Sequence, residues 1–549
     1  MPIPTAPTLL LAVGGMLLIV SRWVRASRSF ELVWLASIAG TLWLLATSDV
    51  QIPGHISAVA YHANWAADPL GIAGQSLALV IGILFGIGSF GLRSTSDRSG
   101  ERFGFLSFQT AGLMLVAAAN DAVTMALSVE VVQFAALALR KNDREKRIRE
   151  QQDYPLNNAV NSHGDASLWT FGIASMFLWL GIALLSHVTA STNYDEIRLV
   201  LTDLYQPGAN RAPIGSGSKL GLLGIGFMVA GLGTRIGLVP WQIALNQSSH
   251  GVGYWTQGCV LLSSQLAGIL ALCRLCGTVW IGYRDELIVL LTVLAGLTFL
   301  VAGSLSALGL MPGEGRIQRW LISLPMLSAA WLTIGLTASV TDLAAPEQSL
   351  AAAGGQPGAL ALTLFAAGAN LVGLSGLFLL FSYLSRENRE VEFVDELLGL
   401  GQLAPASATA LMIILVSLVG QPPLWGFWGN WLLMVAGFNV RAAGGRGDVT
   451  PHLGLVLLLI VAAFATLLTA GIAIRFARII ILEPPISRMQ PQGRRATLVA
   501  GCICSLILIV VGVAPARLLS TLSSVRGLGT NSVPDVPSGL RRGQSTANK

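Results

Sequence analysis

Long, nearly unbroken apolar runs are the feature of this sequence that most restricts its fold. A helix that crosses a bilayer needs about 20 mostly apolar residues, and such stretches recur along almost the whole chain. There are fourteen of them, at residues 7–24, 30–48, 69–92, 104–119, 121–139, 166–189, 219–240, 253–276, 286–310, 320–341, 357–384, 404–440, 453–480 and 496–516. The sequence therefore predicts an all-α polytopic membrane protein with about 14 transmembrane helices.

The composition excludes other classes of protein. Apolar residues make up 53% of the chain and charged residues 11%, whereas about 25% of the residues of an ordinary soluble domain are charged. A chain so poor in charge cannot cover its surface in water, and it is too apolar for intrinsic disorder. A β-barrel is disfavoured as well, because its strands would appear as short alternating segments.

Lysine and arginine are unevenly distributed between the loops. Loops after odd-numbered runs contain 21 of them, and loops after even-numbered runs contain 7. Because cytoplasmic loops carry such an excess, we expect the odd loops in the cytoplasm and both termini on the outer, periplasmic side of a bacterial cytoplasmic membrane. The net charge of +6 then reflects membrane orientation and does not indicate a nucleic-acid partner. No basic segment precedes the first run, which we interpret as a true span.

Two ionisable residues inside the apolar runs stand out. Glu130 is near the middle of the fifth run, and Arg235 lies close to the end of the seventh. Such residues are costly in lipid unless they are paired or hydrated, so each is a candidate functional residue. The alternative is a buried Glu–Arg pair that only fixes helix packing. The residues by themselves leave both interpretations open.

Proline interrupts two of the runs. Pro240 lies in the seventh run, and Pro422 and Pro423 lie in the twelfth. Proline removes a backbone donor and kinks or ends a helix, and broken helices are common in ion pathways. Two breaks in separate halves of the chain indicate an internal, inverted repeat, although ordinary proline kinks would leave the same signal.

Motifs for metals and redox cofactors are missing from the sequence. The five cysteines all lie in apolar runs, at Cys259, Cys273, Cys276, Cys502 and Cys504. The spacing of Cys273 and Cys276 suits a metal, but no second pair follows in the loops. GIGSFG at 86–91 fits a dinucleotide fingerprint without the strand that should precede it. We therefore expect no metal site and no cofactor in this chain.

Five segments of the sequence form a recognisable set, namely AGLMLVAAANDAVTMALSVEVVQFAALAL (111–139), FGIASMFLWLGIALLSHVTASTNYDEI (171–197), GLGTRIGLVPWQIAL (231–245), RWLISLPMLSAAWLTIGL (319–336) and LVSLVGQPPLWGFWGNWLL (415–433). They resemble the antiporter-like subunits of respiratory complex I, and subunit N of NADH:quinone oxidoreductase most of all. The segments occur in the family's order, and the resemblance covers about residues 1–485. It implies an antiporter-like fold and a translocase subunit that moves protons while a partner subunit reduces quinone.

The family's functional positions are only partly retained. Its essential glutamate falls on Glu130, and its lysine before the first broken helix falls on Arg235. Its other lysines fall on Ala166, Gln265 and Asn430, and its histidines on Gln242 and Ser328. Alanine, glutamine and asparagine cannot bind and release protons near neutral pH, and arginine hardly deprotonates. The lysine relay of the family is therefore absent from this chain.

The resemblance also divides the chain. Residues 1–103 would hold about three N-terminal spans, 104–485 the antiporter-like proton-translocation core, 486–516 the last span, and 517–549 a flexible polar tail. NADH, FMN, iron–sulfur clusters and quinone are expected in partner subunits, with other complex I membrane and peripheral subunits as partners.

Three functions remain compatible with these residues. The first is a subunit N that contributes to proton translocation through Glu130 and Arg235. The second is a degenerate paralogue that keeps the fold and docking but does not pump. The third is a cation/proton antiporter or a membrane subunit of a hydrogenase complex. The lost lysines favour the second function over the first, and the order of the motifs favours complex I over the third.

Overall fold

The structure is a computed structural model that describes residues 5–20, 29–47, 65–66, 68–90, 99–151, 159–204, 216–240, 252–309, 317–342, 358–385, 391–440, 452–484 and 495–522. Nearly all of these residues are helical. The α-helices are α1 (Ala6–Val20), α2 (Ser29–Thr47), α3 (Pro69–Ser89), α4 (Ser99–Ala118), α5 (Ala122–Gln151), α6 (Ala159–Thr189), α7 (Tyr194–Leu204), α8 (Ser216–Ile236), α9 (Tyr254–Arg274), α10 (Arg284–Gly309), α11 (Ile317–Asp342), α12 (Ala359–Leu384), α13 (Leu400–Leu403), α14 (Pro405–Val419), α15 (Trp425–Phe438), α16 (Leu453–Ile481), α17 (Arg495–Val513) and α18 (Pro515–Leu522). The predicted all-α class is confirmed.

The helices follow the predicted apolar runs closely. Within the described residues, ten helices are long and apolar enough to cross a membrane, namely α3, α5, α6, α8, α9, α10, α11, α12, α16 and α17. Three further runs form shorter apolar helices, which are α1, α2 and α14. The twelfth run, 404–440, is divided into α14 and α15. The break between them leaves each half too short to span a bilayer alone.

Three helices form the centre of the bundle. α9, α11 and α12 are buried along their whole apolar length, whereas large parts of α6 and α16 are exposed. A helix that is apolar all round has no polar face to turn outward and is surrounded by other helices or by lipid. The exposed apolar faces of the outer helices are therefore the surface that lipid would cover.

Small residues bring α6 and α8 into close contact. A Cβ on Gly181 of α6 would lie 2.6 Å from the carbonyl oxygen of Gly224 on α8, and a Cβ on Gly231 would lie 2.7 Å from that of Ala174. Membrane helices pack most closely where glycine lets their backbones meet. This contact runs along α8 up to the turn that carries Arg235, and so it brings that residue against α6.

Two of the expected boundaries fall within helices. The division expected after residue 103 falls inside α4, which begins at Ser99. The segment expected as a flexible tail from residue 517 begins within α18, which continues to Leu522. Residues 523–549 lie outside the described part of the chain.

Candidate functional site

Glu130 lies in the third turn of α5. The helix begins beside Asp121, whose carboxylate accepts hydrogen bonds from the backbone N–H groups of Val123 and Thr124 at 3.0 Å each. Such a cap satisfies donors that the first turn of a helix leaves free. The Glu130 side chain is 18% exposed. It thus lies at the edge of the buried core and not in its centre.

Arg235 lies in the last turn of α8, directly before the helix ends. The turn is closed by the N–H groups of Gly237 and Leu238, which both donate to the carbonyl of Gly233 at 2.9 Å. Gly237 has a φ of 86°, in the left-handed region that glycine reaches without steric cost. The Arg235 side chain is 1% exposed, so its charge requires partners inside the protein.

Those partners come from two neighbouring helices. The Nη2 atom of Arg235 lies 2.8 Å from Oε1 of Glu130 on α5 and donates to Oγ of Ser175 on α6 at 2.9 Å. Its Nη1 atom donates to Oε1 of Gln133 at 3.2 Å. The guanidinium fork therefore joins α5, α6 and α8 through one carboxylate and two neutral acceptors. The two ionisable residues that the sequence singles out meet in one ion pair.

The two predicted helix breaks have the same local pattern, a glycine followed three residues later by a proline. α8 ends at Gly237-Leu-Val-Pro240, and α14 ends at Gly420-Gln-Pro-Pro423. Both glycines have positive φ, 86° at Gly237 and 81° at Gly420, and both prolines follow a cis peptide bond. After the second break the chain resumes as α15 at Trp425, so Pro422 and Pro423 lie in the interruption. After Pro240, residues 241–251 lie outside the described part, and Gln242 with them.

The positions of the missing lysines are scattered over the bundle. Gln265 on α9 donates from Nε2 to the carbonyl of Pro325 on α11 at 2.9 Å. Asn430 on α15 lies beside the second break, with Nδ2 at 3.1 Å from where a Cβ on Gly420 would be. Ala166 falls within α6, where its side chain is not described. Gln265 and Asn430 are thus both buried, and each lies on a different helix from Glu130.

A second ion pair was missed by the sequence reasoning. Arg274 is the buried last residue of α9. It pairs with both oxygens of Asp68, from Nη1 to Oδ2 at 2.6 Å and from Nη2 to Oδ1 at 2.9 Å, and it also donates to the carbonyl of Ala117. An arginine inside the run LALCRLCG was the available signal, but its partner lies 206 positions away.

Asp68 also caps a helix, which makes this second pair a clamp. Its Oδ1 accepts from the N–H of Gly71 at 2.9 Å at the start of α3. Nearby on α7, burial raises the pKa of the Tyr194 hydroxyl well above its ordinary value, whereas the positive charge of Arg274 acts to lower that pKa. Since Arg274 also reaches the end of α4, the clamp joins α3, α4 and α9. It fixes the end of α9 that is opposite to Tyr254.

The described residues contain no cluster of three or more His, Cys, Asp or Glu side chains that could hold a metal ion. All five cysteines are free thiols, and four of them are buried. Glu130 and Arg235 are thus the functional candidates that the structure brings together. A carboxylate that exchanges a proton beside a fixed cation is the chemistry that this arrangement can provide.

The amino-acid sequence is similar to one described protein family and to several named proteins of that family. The family described as NADH:quinone oxidoreductase/Mrp antiporter, transmembrane region, matches residues 355–444. The chain is 24% identical over 508 residues to NADH-quinone oxidoreductase subunit N 1 of Rhizobium meliloti, covering 90% of this chain and 91% of the relative. It is 28% identical over 433 residues to subunit N of Heliobacterium modesticaldum, covering 78% and 80%.

Solved structures share the fold at lower sequence identity. A chain of respiratory complex I from Thermus thermophilus matches with a TM-score of 0.68 and 18% identity, over 94% of this chain and 99% of that one. A chain of the Mrp complex from Dietzia sp. matches with a TM-score of 0.71 and 16% identity, over 95% and 97%. The solved structures confirm the antiporter-like fold. The sequence relatives confirm the resemblance to subunit N that the five segments indicate.

Proposed function

We propose that this chain, a divergent relative of subunit N of NADH:quinone oxidoreductase, is a membrane-arm subunit of a complex of that type. In this role it contributes to proton translocation that is coupled to quinone reduction elsewhere in the complex. The observation that carries the proposal is the Glu130–Arg235 ion pair, 2.8 Å long and shared by three helices. NADH, FMN, iron–sulfur clusters and quinone would be bound by partner subunits, in keeping with the lack of cofactor motifs in this sequence.

The geometry defines what each residue would do. Glu130 exchanges a proton, since a carboxylate can be neutral or charged, whereas the Arg235 guanidinium keeps its charge throughout. Protonation of Glu130 leaves the Arg235 charge without its counter-charge, so the proton is held or released according to other charges that approach the pair. Charges interact strongly in an interior of low dielectric constant. That interaction is the physical basis for coupling to a neighbouring subunit.

A second function is favoured by the neutral residues at the other positions where the family has lysine. Gln265 and Asn430 cannot carry protons, and Arg235 replaces a lysine that could. A chain with this set of residues would hold its place in the membrane arm and keep the Glu130 pair as a structural contact. This non-pumping structural paralogue is the alternative to a contribution to translocation.

The same proposal covers the orientation of the chain in the membrane and its division into segments. The excess of arginine in the odd loops favours a bacterial cytoplasmic membrane with both termini on the outer side. Residues 104–485 would form the translocation core, and 1–103 and 486–516 would supply flanking spans. A cation/proton antiporter or a hydrogenase-type complex would use the same fold, because fold alone does not decide function.

Two experiments test these proposals. The first is gentle extraction of a tagged chain from its native membrane with identification of the co-purifying proteins. Recovery with quinone-reducing and NADH-oxidising subunits is the expected result, while recovery alone or with antiporter or hydrogenase subunits would contradict the assignment to complex I.

The second experiment measures protons moved per electron pair after Glu130→Gln. A large drop is expected if Glu130 carries protons, and an unchanged ratio in a fully assembled complex would leave the structural paralogue as the function. Glu196→Gln is the matched control, because Glu196 is exposed on α7, a short helix that follows the sixth span.

A further inference from the structure

The two helix breaks differ in what covers them. At the first break Leu238 and Val239 are buried, and the N–H of Val239 donates to Oγ1 of Thr298 on α10 at 3.1 Å. At the second break the three residues Gln-Pro-Pro, 421–423, are all exposed. The protein thus covers the first interruption with one of its own helices and leaves the second open at its surface.

The second break lies at the middle depth of the bundle. A Cβ on Gly368 of α12 would lie 2.9 Å from the ring of Trp425, the first residue after the break, and a Cβ on Gly373 would lie 2.9 Å from Leu418, which precedes the break. These two glycines flank the centre of α12, a span of 26 residues. Since the hydrocarbon core of a bilayer is about 30 Å thick, the break lies about 15 Å from either layer of headgroups.

The side chain of Gln421 is the polar donor that the break leaves over. The backbone N–H groups of Gly420, Gln421 and Leu424 donate to carbonyl groups of the same stretch at 2.9, 3.1 and 3.3 Å, and the two prolines between them have no N–H. The amide of Gln421 offers two N–H donors and one carbonyl acceptor. It makes no hydrogen bond with any of the described residues.

Acyl chains of lipid are a poor cover for this exposed amide. Irregular backbone at membrane depth is tolerated where protein or water covers it, and not against hydrocarbon. An amide group without a hydrogen-bond partner is costly in such surroundings. Long lysine and arginine side chains near helix ends can reach the headgroups, but glutamine is too short to do so from the middle of the bilayer. The outward faces of α6 and α16, which are apolar, have no such requirement.

The two helices that flank the break extend this exposed surface. On α15 the ring of Phe427 stacks on that of Trp431 with ring centres 6.1 Å apart, and Trp431 and Phe438 are 47% and 59% exposed. At about 100° per residue these three aromatic residues lie within about 40° of one another around the helix. On α14 the exposed residues include the small Ala406 and Thr409, which allow another helix to approach closely.

A continuous helix of a different chain is the occupant that suits this surface. In a two-fold contact a second copy of this chain would present the same face, so that one Pro-Pro turn would lie against another without a helix to pack on. A straight helix could lie along the small residues of α14, cross the break and reach the aromatic residues of α15. Aromatic side chains of this kind are common anchors of protein interfaces.

We propose that Gln421 recognises a transmembrane helix of another membrane subunit, which docks over the second break and hydrogen-bonds the Gln421 amide through a polar side chain at mid-depth. The stacked pair Phe427–Trp431 anchors the same helix. The inference deepens the proposed function and rests on it, because it assigns a docking site and a polar residue to one of the partner subunits expected there.

Site-specific photocrosslinking in the native membrane tests the contact. Benzoyl-phenylalanine replaces Trp431, whose size and aromatic character it keeps, and in a control variant it replaces Leu467. Leu467 is matched in setting, since it is 71% exposed and lies at the middle of α16. The expected adduct of position 431 is a single other membrane subunit, joined at a transmembrane segment that carries a polar residue. Position 467 should join lipid. An adduct of position 431 with lipid alone, or with a second copy of this chain, would overturn the proposal.

Substitution of Gln421 tests the hydrogen bond. Gln421→Leu should lower the fraction of tagged chain that stays with the crosslinked subunit in mild detergent by about threefold or more, because the polar group of the partner helix is left unpaired. Gln421→Asn keeps an amide and should retain part of the association. Gln402→Leu is the control, as Gln402 is exposed on α13, away from the break. Unchanged retention of Gln421→Leu, or an equal loss in the leucine and asparagine variants, would overturn the role of the amide.

These readouts separate the docking site from the proposed function, because neither depends on proton pumping. A crosslinked subunit from a complex other than an NADH:quinone oxidoreductase would support the docking site and contradict the proposed function. Co-purification with NADH-oxidising subunits without an adduct at position 431 would support the function and overturn the docking site.

Discussion

Removing the negative charge of the ion pair is expected to destabilise the protein more than removing the positive one. The Arg235 side chain is 1% exposed and Glu130 is 18% exposed. In Glu130→Gln the guanidinium keeps its hydrogen bonds to Gln133 and Ser175 but loses its counter-charge. An uncompensated buried charge typically costs about 3–5 kcal/mol. We expect the lower end of that range, about 3 kcal/mol, because the partial exposure of Glu130 shows that the site is not fully sealed.

The reverse change, Arg235→Gln, leaves a carboxylate that a single proton can neutralise. Its expected cost is about 1–2 kcal/mol, mainly from the hydrogen bonds lost to Glu130, Gln133 and Ser175. The double variant has no buried charge left at this site. It should therefore be more stable than Glu130→Gln alone, with a coupling energy of about 2 kcal/mol between the two positions.

Unfolding of the purified chain in mixed micelles, followed by helix content as the denaturing detergent is raised, measures these free energies. Glu196→Gln on α7 is the control and should leave the free energy of unfolding unchanged, because its side chain is exposed. A double variant as unstable as the sum of the two single variants would refute the reasoning. So would a Glu130→Gln variant that is no less stable than Arg235→Gln.

The remaining predictions concern the same site, the clamp and one helix contact. Arg235→Lys should lower the free energy of unfolding by about 1–2 kcal/mol, because an ammonium cannot reproduce the three-way guanidinium fork, and the same micelle assay checks it. Arg274→Gln should cost about 3–5 kcal/mol by leaving Asp68 buried without a counter-charge, which a steep loss of assembled chain in membranes would reveal. Gly426→Ala should prevent stable folding, since a Cβ there would lie 1.9 Å from the Ser417 carbonyl oxygen, whereas Gly226→Ala on α8, where a Cβ meets nothing within 4 Å, should be tolerated. Equal thermal stability of those two glycine variants in detergent would show that the contact is not as close as described.

The two buried ion pairs differ in geometry and in exposure. Both consist of a buried arginine and a carboxylate, but the Asp68–Arg274 pair is bidentate, nearly fully buried and tied to a helix cap. The Glu130–Arg235 pair has one carboxylate contact and a partly exposed carboxylate. The first is suited to holding helix ends in place, and the second is suited to a carboxylate that exchanges a proton.

The class of fold, the helix breaks and the candidate residues can all be predicted from the amino-acid sequence. Each of these depends on information that is local in the chain: the length of an apolar run sets a span, glycine and proline end a helix where they stand, and a charge within an apolar run is conspicuous whatever surrounds it. Glu130, Arg235 and the break at Pro422 could all be recognised in this way.

Which of these residues contact one another depends on how the helices pack, and the sequence does not specify it. Helices that are apolar on every side, such as α9 and α12, carry no periodic signal that tells which face touches which neighbour. The approach of α9 to Arg235 at Gly268 depends on how close glycine lets the helix backbones come. The pairing of Arg274 with Asp68 depends on how the end of α9 packs beside α3 and α4. Those contacts join residues far apart in the chain, and so the local pattern of the sequence could name the charged residues without assigning their partners.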